Sequence, residues 1–76
     1  MKWSRKIYEP YSLSYRIKAR KNGFKASVVY NDHYKTYYFL TEKNSIMFNS
    51  CWDRKEYWTE EDCKLACEQW IDERKK

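Results

Sequence analysis

The sequence predicts an α+β fold in which an antiparallel, three- to four-stranded β-meander packs against one C-terminal α-helix. Three patterns predict it: an Asn-Gly pair inside alternating apolar and charged residues over 12–30, an aromatic and β-branched run over 34–40, and apolar residues three or four apart over 59–75. We expect a single domain, because 76 residues allow only one thin core.

The first predicted hairpin turns at Asn22-Gly23, a pair that tolerates the positive φ angles of a tight type I′ turn. A two-residue loop there predicts the facing pairs Lys21–Phe24, Ala19–Ala26, Ile17–Val28 and Tyr15–Tyr30. Beyond the first pair these are apolar, so this face is expected to meet the core. The opposite face carries a basic set with no acid among them: Arg16, Lys18, Arg20 and Lys25.

Residues 1–11 precede the hairpin and form a basic, aromatic arm that contains Lys2, Trp3, Arg5 and Lys6. Pro10 restricts the residue before it to extended conformations. The arm is therefore expected to be either an edge strand or a flexible tail that orders on a partner.

A third strand is predicted over residues 34–40, after a turn at 31–33. A two-residue loop at Asp32-His33 places Tyr37 and Phe39 in the core and puts three residues on the basic face: Tyr34, Thr36 and Tyr38. A three-residue loop exchanges the two sets. We favour the first because it buries Phe39. After a turn over 41–44, residues 45–48 can form a fourth strand, so the meander is assigned to residues 12–48. Residues 49–55 are predicted to form a loop in which Trp52 is buried under the sheet or the helix.

The predicted helix over residues 59–75 begins at Thr59, a good N-cap, with acids in its first turn that suit the positive end of the helix dipole. Its apolar stripe has the spacing of a helix lying on a sheet: Cys63, Ala66, Cys67, Trp70 and Ile71. The outer face is mostly acidic and polar, which does not suit insertion into a DNA groove.

The helix pattern Thr59-x-x-Asp62-Cys63-x-x-Ala66-Cys67-x-x-Trp70, after a meander, resembles the DNA-binding domains at the N-termini of phage integrases and in plant AP2 factors. The resemblance covers residues 12–40 and 59–71 and leaves 41–58 without a counterpart. It implies a sheet that enters the major groove and a helix that braces it. In its small size and its aromatic-rich, glycine-poor composition, the chain is also similar to phage-encoded accessory and host-takeover proteins.

The residues give little support for a metal site or for catalysis, and we expect no cofactor and no enzymatic activity. Cys63, Cys67, Cys51 and His33 could supply a Cys3His zinc site. Because both helical cysteines fall on the apolar stripe and no C-x2-C motif occurs, buried core thiols are the favoured interpretation. The lone histidine lies in a predicted turn, where no nucleophile or oxyanion hole is indicated.

Charge is unevenly distributed: residues 1–35 carry a net +7 and residues 36–76 a net −2. A basic half of this kind favours a polyanionic partner. We expect nucleic acid, DNA or RNA, to bind the basic face and the arm through Arg16, Lys18, Arg20, Lys25, Tyr34, Tyr38, Lys2, Arg5 and Lys6. Lysine and arginine would neutralise phosphates, and tyrosines could stack on bases.

The alternative is a protein-binding inhibitor or adaptor, such as a phage-encoded protein that acts on host defence or transcription machinery, because exposed Tyr, Trp and Arg also dominate protein interfaces. No stretch has the length of apolar residues that a membrane span needs, and no apolar segment follows the charged N-terminus. With three cysteines in no framework spacing, a cytoplasmic protein is expected, monomeric or homodimeric, with no small-molecule substrate.

Overall fold

A computed structural model describes residues 1–74 of the chain. Within them lie five strands, a 3₁₀ helix and an α-helix: β1 (Ile7–Tyr8), β2 (Tyr15–Lys21), β3 (Phe24–Asn31), β4 (Thr36–Lys43), β5 (Ile46–Asn49), the 3₁₀ helix (Ser50–Asp53) and α1 (Glu60–Asp72). The strands form one antiparallel sheet in the order β1-β2-β3-β4-β5, and α1 packs on one of its faces. The α+β class is confirmed, but the count of three or four strands is wrong: the arm adds the edge strand β1 to the three strands and the possible fourth, here β5, that the sequence predicted.

The β2–β3 hairpin has the predicted register, with Ile17 opposite Val28 and Tyr15 opposite Tyr30. Its turn residues Asn22 and Gly23 have φ angles of 52° and 82°. Only the left-handed region allows so tight a reversal with the right twist, and Gly enters that region without a steric penalty. The local turn and the alternation of side chains therefore specify this hairpin together.

The β3–β4 connection is two residues longer than the predicted loop, because Asn31 pairs with Thr36. The Asn31 carbonyl accepts a hydrogen bond from the Lys35 N–H at 2.8 Å, and Lys35 has a φ angle of 59°. Since side chains alternate with a period of two, a shift of two residues keeps each one on its predicted face. Phe39 is indeed in the core, whereas Tyr34 lies in the turn and not on the basic face, so that prediction is wrong.

Beyond β3, the predicted turn over residues 41–44 is also wrong. β4 continues to Lys43 and reverses at Asn44 and Ser45, whose φ angles are 54° and 65°. After the 3₁₀ helix the chain returns to β4, where Tyr57 and Tyr37 exchange two backbone hydrogen bonds of 2.8 Å. Trp52, expected to be buried, is 66% exposed, because its 3₁₀ helix lies at the sheet margin.

The helix begins as predicted: the Thr59 hydroxyl accepts a hydrogen bond from the Asp62 N–H at 3.1 Å. The predicted stripe faces the sheet, with Cys63, Cys67 and Ile71 fully buried. They belong to one core cluster with a row that crosses three strands: Ile17, Val28 and Phe39. The last residues of the predicted helix, beyond 74, lie outside the described part. Among residues 1–74, no helix has the length and apolar character needed to cross a lipid bilayer.

The N-terminal arm runs beside β2 and is held at both ends. The Ser4 N–H donates to the Lys18 carbonyl at 2.8 Å, and the Lys18 N–H donates to the Ser4 hydroxyl at 2.9 Å. The terminal ammonium of Met1 reaches Glu68 of α1 at 3.1 Å, and Trp3 packs against the core. These contacts fix the position of Lys2 between them.

Candidate nucleic-acid interface

The face of the sheet opposite α1, here called the open face, is formed by every second residue of β2 to β5. Because side chains alternate along each strand, burying one set against α1 necessarily directs the other set outward. The residues of the open face include Arg16, Lys18, Arg20, Lys25, Ser27, Val29, Tyr38, Leu40, Glu42 and Met47. The hairpin pairing thus brings together all four basic residues that the sequence predicted for this face.

A depression of about 660 Å³ occupies the middle of the open face. Five cations line it: Lys2, Arg16, Lys18, Arg20 and Lys25. A single acid, Glu42, lines it as well, and the rest of the lining is small or apolar. The depression therefore combines a positive potential with a surface that an extended polyanion can approach.

None of these five cations forms an ion pair with a residue in the described part of the chain. Several lysines elsewhere do have carboxylate partners at short range: Lys21 with Asp72 at 2.8 Å, Lys35 with Asp32 at 2.7 Å, and Lys64 with Glu60 at 2.9 Å. Within the described residues, no direct ion pair therefore neutralises the positive charge of the depression.

Glu42 is a component of the open face that sequence reasoning missed. It lies opposite Lys25 in the β3–β4 register, so the row reads Arg20, Lys25, Glu42 across three strands. An acid there offsets the repulsion between the two directly opposed cations. Extending the alternation of β4 through Tyr38, Leu40 and Glu42 would have found it, but the strand was predicted to end at residue 40.

The outer surface of α1, on the opposite side of the molecule, is rich in acids. Six carboxylates lie on α1 or directly after it: Glu60, Glu61, Asp62, Glu68, Asp72 and Glu73. Since α1 covers the other face of the sheet, the basic and acidic surfaces are separated by the thickness of the sheet. A polyanion is consequently expected to prefer the open face to the outer surface of α1.

Tyr38 is the predicted aromatic residue that the fold does place on the open face. It is half-buried, and burial raises its pKa, with Cys51 and Glu9 acting in the same direction and Arg16 opposing them. The influence of Arg16 reflects their proximity across Val29. Tyr34, by contrast, stands in the β3–β4 turn, where its ring meets His33 edge-on at 4.6 Å.

The three basic residues of the arm occupy different positions. Lys2 lines the depression. Arg5 is exposed. Lys6 places its ammonium over the ring of Tyr15, 4.8 Å from the centroid, and Tyr15 belongs to the core on the helix side. Of the three, only Lys2 is therefore brought to the basic depression.

Cys63 and Cys67 pack in the core, as the favoured interpretation predicted for the two helical cysteines. Cys63 and Cys67 are fully buried, and burial raises the pKa of both thiols, that of Cys67 to about 12. They are thus uncharged at neutral pH and poor metal ligands or nucleophiles. Cys51 is exposed on the 3₁₀ helix, and residues 1–74 contain no cluster of three or more His, Cys, Asp or Glu side chains that could hold a metal ion.

Comparisons of the chain with protein-family models, with curated proteins and with solved structures find no match.

Proposed function

We propose that this protein binds nucleic acid through the open face, without catalysis, and that it contacts mainly the phosphate backbone. The observation that carries the proposal is the convergence of five cations, unpaired within the described residues, on one depression. Lysine and arginine that neutralise phosphates release condensed counterions, which supplies most of the free energy of sequence-independent binding.

The spacing of the basic residues suits a chain of phosphates. Arg16, Lys18 and Arg20 occupy alternate positions of β2, so their Cα atoms are about 7 Å apart along the strand. This is comparable with the spacing of successive phosphates along a nucleic-acid strand. Contacts of this kind fix the position of a protein on the backbone and read no base sequence.

The width of the sheet argues against its insertion into a groove. Five strands span about 19 Å from the first axis to the last, whereas the major groove of B-DNA is about 12 Å wide and admits a two-stranded ribbon or a helix. The groove binding that the resemblance to integrase and AP2 domains implied therefore does not suit this sheet. A sheet of this width is better suited to lie across the phosphate backbone.

The aromatic residues favour a duplex over a single strand. Proteins that bind single strands commonly stack successive bases on several exposed aromatic rings. On the described open face the aromatic side chain is Tyr38, which is half-buried, while Tyr30, Tyr37 and Phe48 pack toward the core on the helix side. A duplex presents phosphates without requiring unstacked bases, so we propose that the ligand is a duplex.

Two double variants test the proposal. Lys18→Glu with Arg20→Glu reverses two charges on the open face, and Arg54→Glu with Lys55→Glu makes the same change of net charge outside the depression. All four side chains are exposed, so both variants are expected to fold, which circular dichroism verifies. Fluorescence anisotropy with a labelled duplex of mixed sequence, at low salt, then measures binding.

We expect the first variant to lose duplex binding and the second to keep most of it. A second duplex of unrelated sequence is expected to bind with similar affinity. Equal loss in both variants would indicate that only net charge matters and would contradict an interface on the open face. No binding of the unmodified protein at low salt would overturn the proposed function itself.

A further inference from the structure

The two edges of the sheet are protected very differently. At one edge, β1 is two residues long and continues into the charged arm that runs along β2. At the other, no described residue pairs with the outer side of β5, and Ile46 and Met47 are 75% and 55% exposed. An unpaired strand with apolar side chains offers backbone donors and acceptors to another chain, and monomeric proteins usually blunt such an edge with charge, proline or a covering loop.

An apolar pocket of about 470 Å³ adjoins this edge on the helix side of the sheet. Trp70 of α1 provides one wall, stacked on Phe48 with ring centroids 4.7 Å apart and meeting Phe24 edge-on at 5.5 Å. Ile46 and Met47 complete the apolar lining. A pocket of this size and composition accommodates apolar side chains.

The rim of the pocket is positively charged. The Lys43 ammonium lies over the ring of Phe24, 4.9 Å from its centroid, and the Arg74 guanidinium lies over Trp70 at 3.8 Å. Among the described residues that line the pocket there is no acid. An occupant that combines apolar groups with negative charge is therefore complementary to the site.

The geometry of strand addition connects the edge with the pocket. A strand added to β5 lies about 4.8 Å from it and directs every second side chain to the helix side, as β5 itself directs Ile46 and Phe48. Because β5 has four residues, an added strand can place two alternate side chains there. We infer that the β5 edge and the Trp70 pocket bind an extended, acidic peptide segment of another protein, with apolar residues at alternate positions.

This site is separate from the basic residues of the open face, so the inference stands whether or not the protein binds nucleic acid. The probe for this site is the blocked heptapeptide Glu-Thr-Val-Thr-Ile-Thr-Glu, in which both acids lie on the same face as the two apolar residues, so that either strand direction brings one acid to the side of Lys43. The ¹⁵N-labelled protein is titrated with the peptide to millimolar concentration, and amide shifts are followed by NMR. We expect shifts concentrated in residues 43–49 and in the indole of Trp70.

Three matched peptides separate the parts of the inference. Methylating the backbone nitrogens of the probe removes its strand hydrogen bonds and is expected to abolish binding. Placing the two apolar residues side by side, in Glu-Thr-Val-Ile-Thr-Thr-Glu, is expected to weaken it, because only one can then enter the pocket. Replacing both acids by lysine is expected to weaken it through repulsion by Lys43 and Arg74.

Two protein variants locate the site. Ile46→Asp removes an exposed apolar contact and repels an acidic peptide, so we expect binding to weaken about tenfold. Leu65→Asp makes the same change at another exposed position, 56% accessible on α1, and is expected to bind normally. Since both side chains are largely exposed, neither change should unfold the protein, and the NMR spectrum verifies this directly.

Several results would overturn the inference. Absence of binding at millimolar peptide excludes the site, and equal binding of the N-methylated peptide excludes strand addition. Shifts confined to the open face would mean that the peptide binds elsewhere. If sedimentation of the free protein reveals a dimer that Ile46→Asp dissociates, then a second copy of this chain, and not a foreign peptide, occupies the edge.

Discussion

Neutralising two cations of the open face should change how strongly duplex binding depends on salt. The perturbation is Lys18→Gln with Arg20→Gln, which removes positive charge without introducing negative charge. Both side chains are exposed and line the depression, and neither has an ion-pair partner in the described structure to lose. The change therefore acts on the interface and leaves the core intact.

The magnitude follows from the number of cations in the depression. If all five contact phosphates, the logarithm of the binding constant falls with the logarithm of salt concentration with a slope of about −4.5, because each neutralised phosphate contributes about −0.9 on B-DNA. Three remaining cations give a slope of about −2.7. Between about 50 and 200 mM salt, affinity then falls about 500-fold for the unmodified protein and about 40-fold for the variant.

Fluorescence anisotropy at four or more salt concentrations measures both slopes. Removing the opposing acid by Glu42→Gln provides a check in the other direction, since affinity at a given salt concentration should rise when the one carboxylate that lines the depression is lost. A slope unchanged by the double neutralisation would refute the assignment of Lys18 and Arg20 to the phosphate contact. Weaker binding after Glu42→Gln would refute the electrostatic argument.

Other predictions concern the fold. Gly23→Ala should lower the free energy of unfolding by roughly 1–2 kcal/mol in urea titrations, because alanine is strained at a φ angle of 82°. Burial alone would raise the pKa of Glu60, but hydrogen bonds from Tyr15 and a nearby lysine lower this pKa overall. The stability that Glu60 provides is therefore present above its unfolded pKa and is lost as the pH falls. Glu60→Gln should reduce this loss of stability in acid, as urea midpoints measured from pH 6 to 3 can show. A thiol reagent should modify one cysteine quickly in the native protein and the buried Cys63 and Cys67 only at the rate of unfolding, as mass spectrometry can follow.

The parts of the fold that the sequence predicts best are those in which nearby residues specify the structure. Asn22-Gly23 sets both the turn and the register of β2 and β3, and Thr59 sets the start of α1. The later turns were predicted at the wrong residues because non-glycine residues adopt the left-handed conformation there: Lys35, Asn44 and Ser45. Local sequence gives no strong signal for such turns, since the surrounding sheet holds the residues in place.

The residues of the candidate site could be predicted where the alternation of side chains along a strand determines their position. Arg16, Lys18 and Arg20 follow directly from the β2 register, and Tyr38 stayed on their face because the longer β3–β4 turn shifted the pairing by an even number of residues. Lys2 reaches the depression through long-range contacts of Met1 and Ser4, which no periodicity encodes. Long-range contacts are also what place Lys6 over Tyr15 on the other side.

Met47 connects the two proposed sites, because it lines both the basic depression and the apolar pocket beside β5. A strand added to β5 directs half of its side chains to the pocket and the other half to the open face, next to the row that contains Glu42. An acidic side chain in such a strand adds negative charge beside the depression and should weaken duplex binding, whereas a basic one should strengthen it. Titrating the duplex complex with peptides that differ only at these outward positions distinguishes coupled sites from independent ones. Equal effects of acidic and basic peptides would mean that the sheet does not couple them electrostatically.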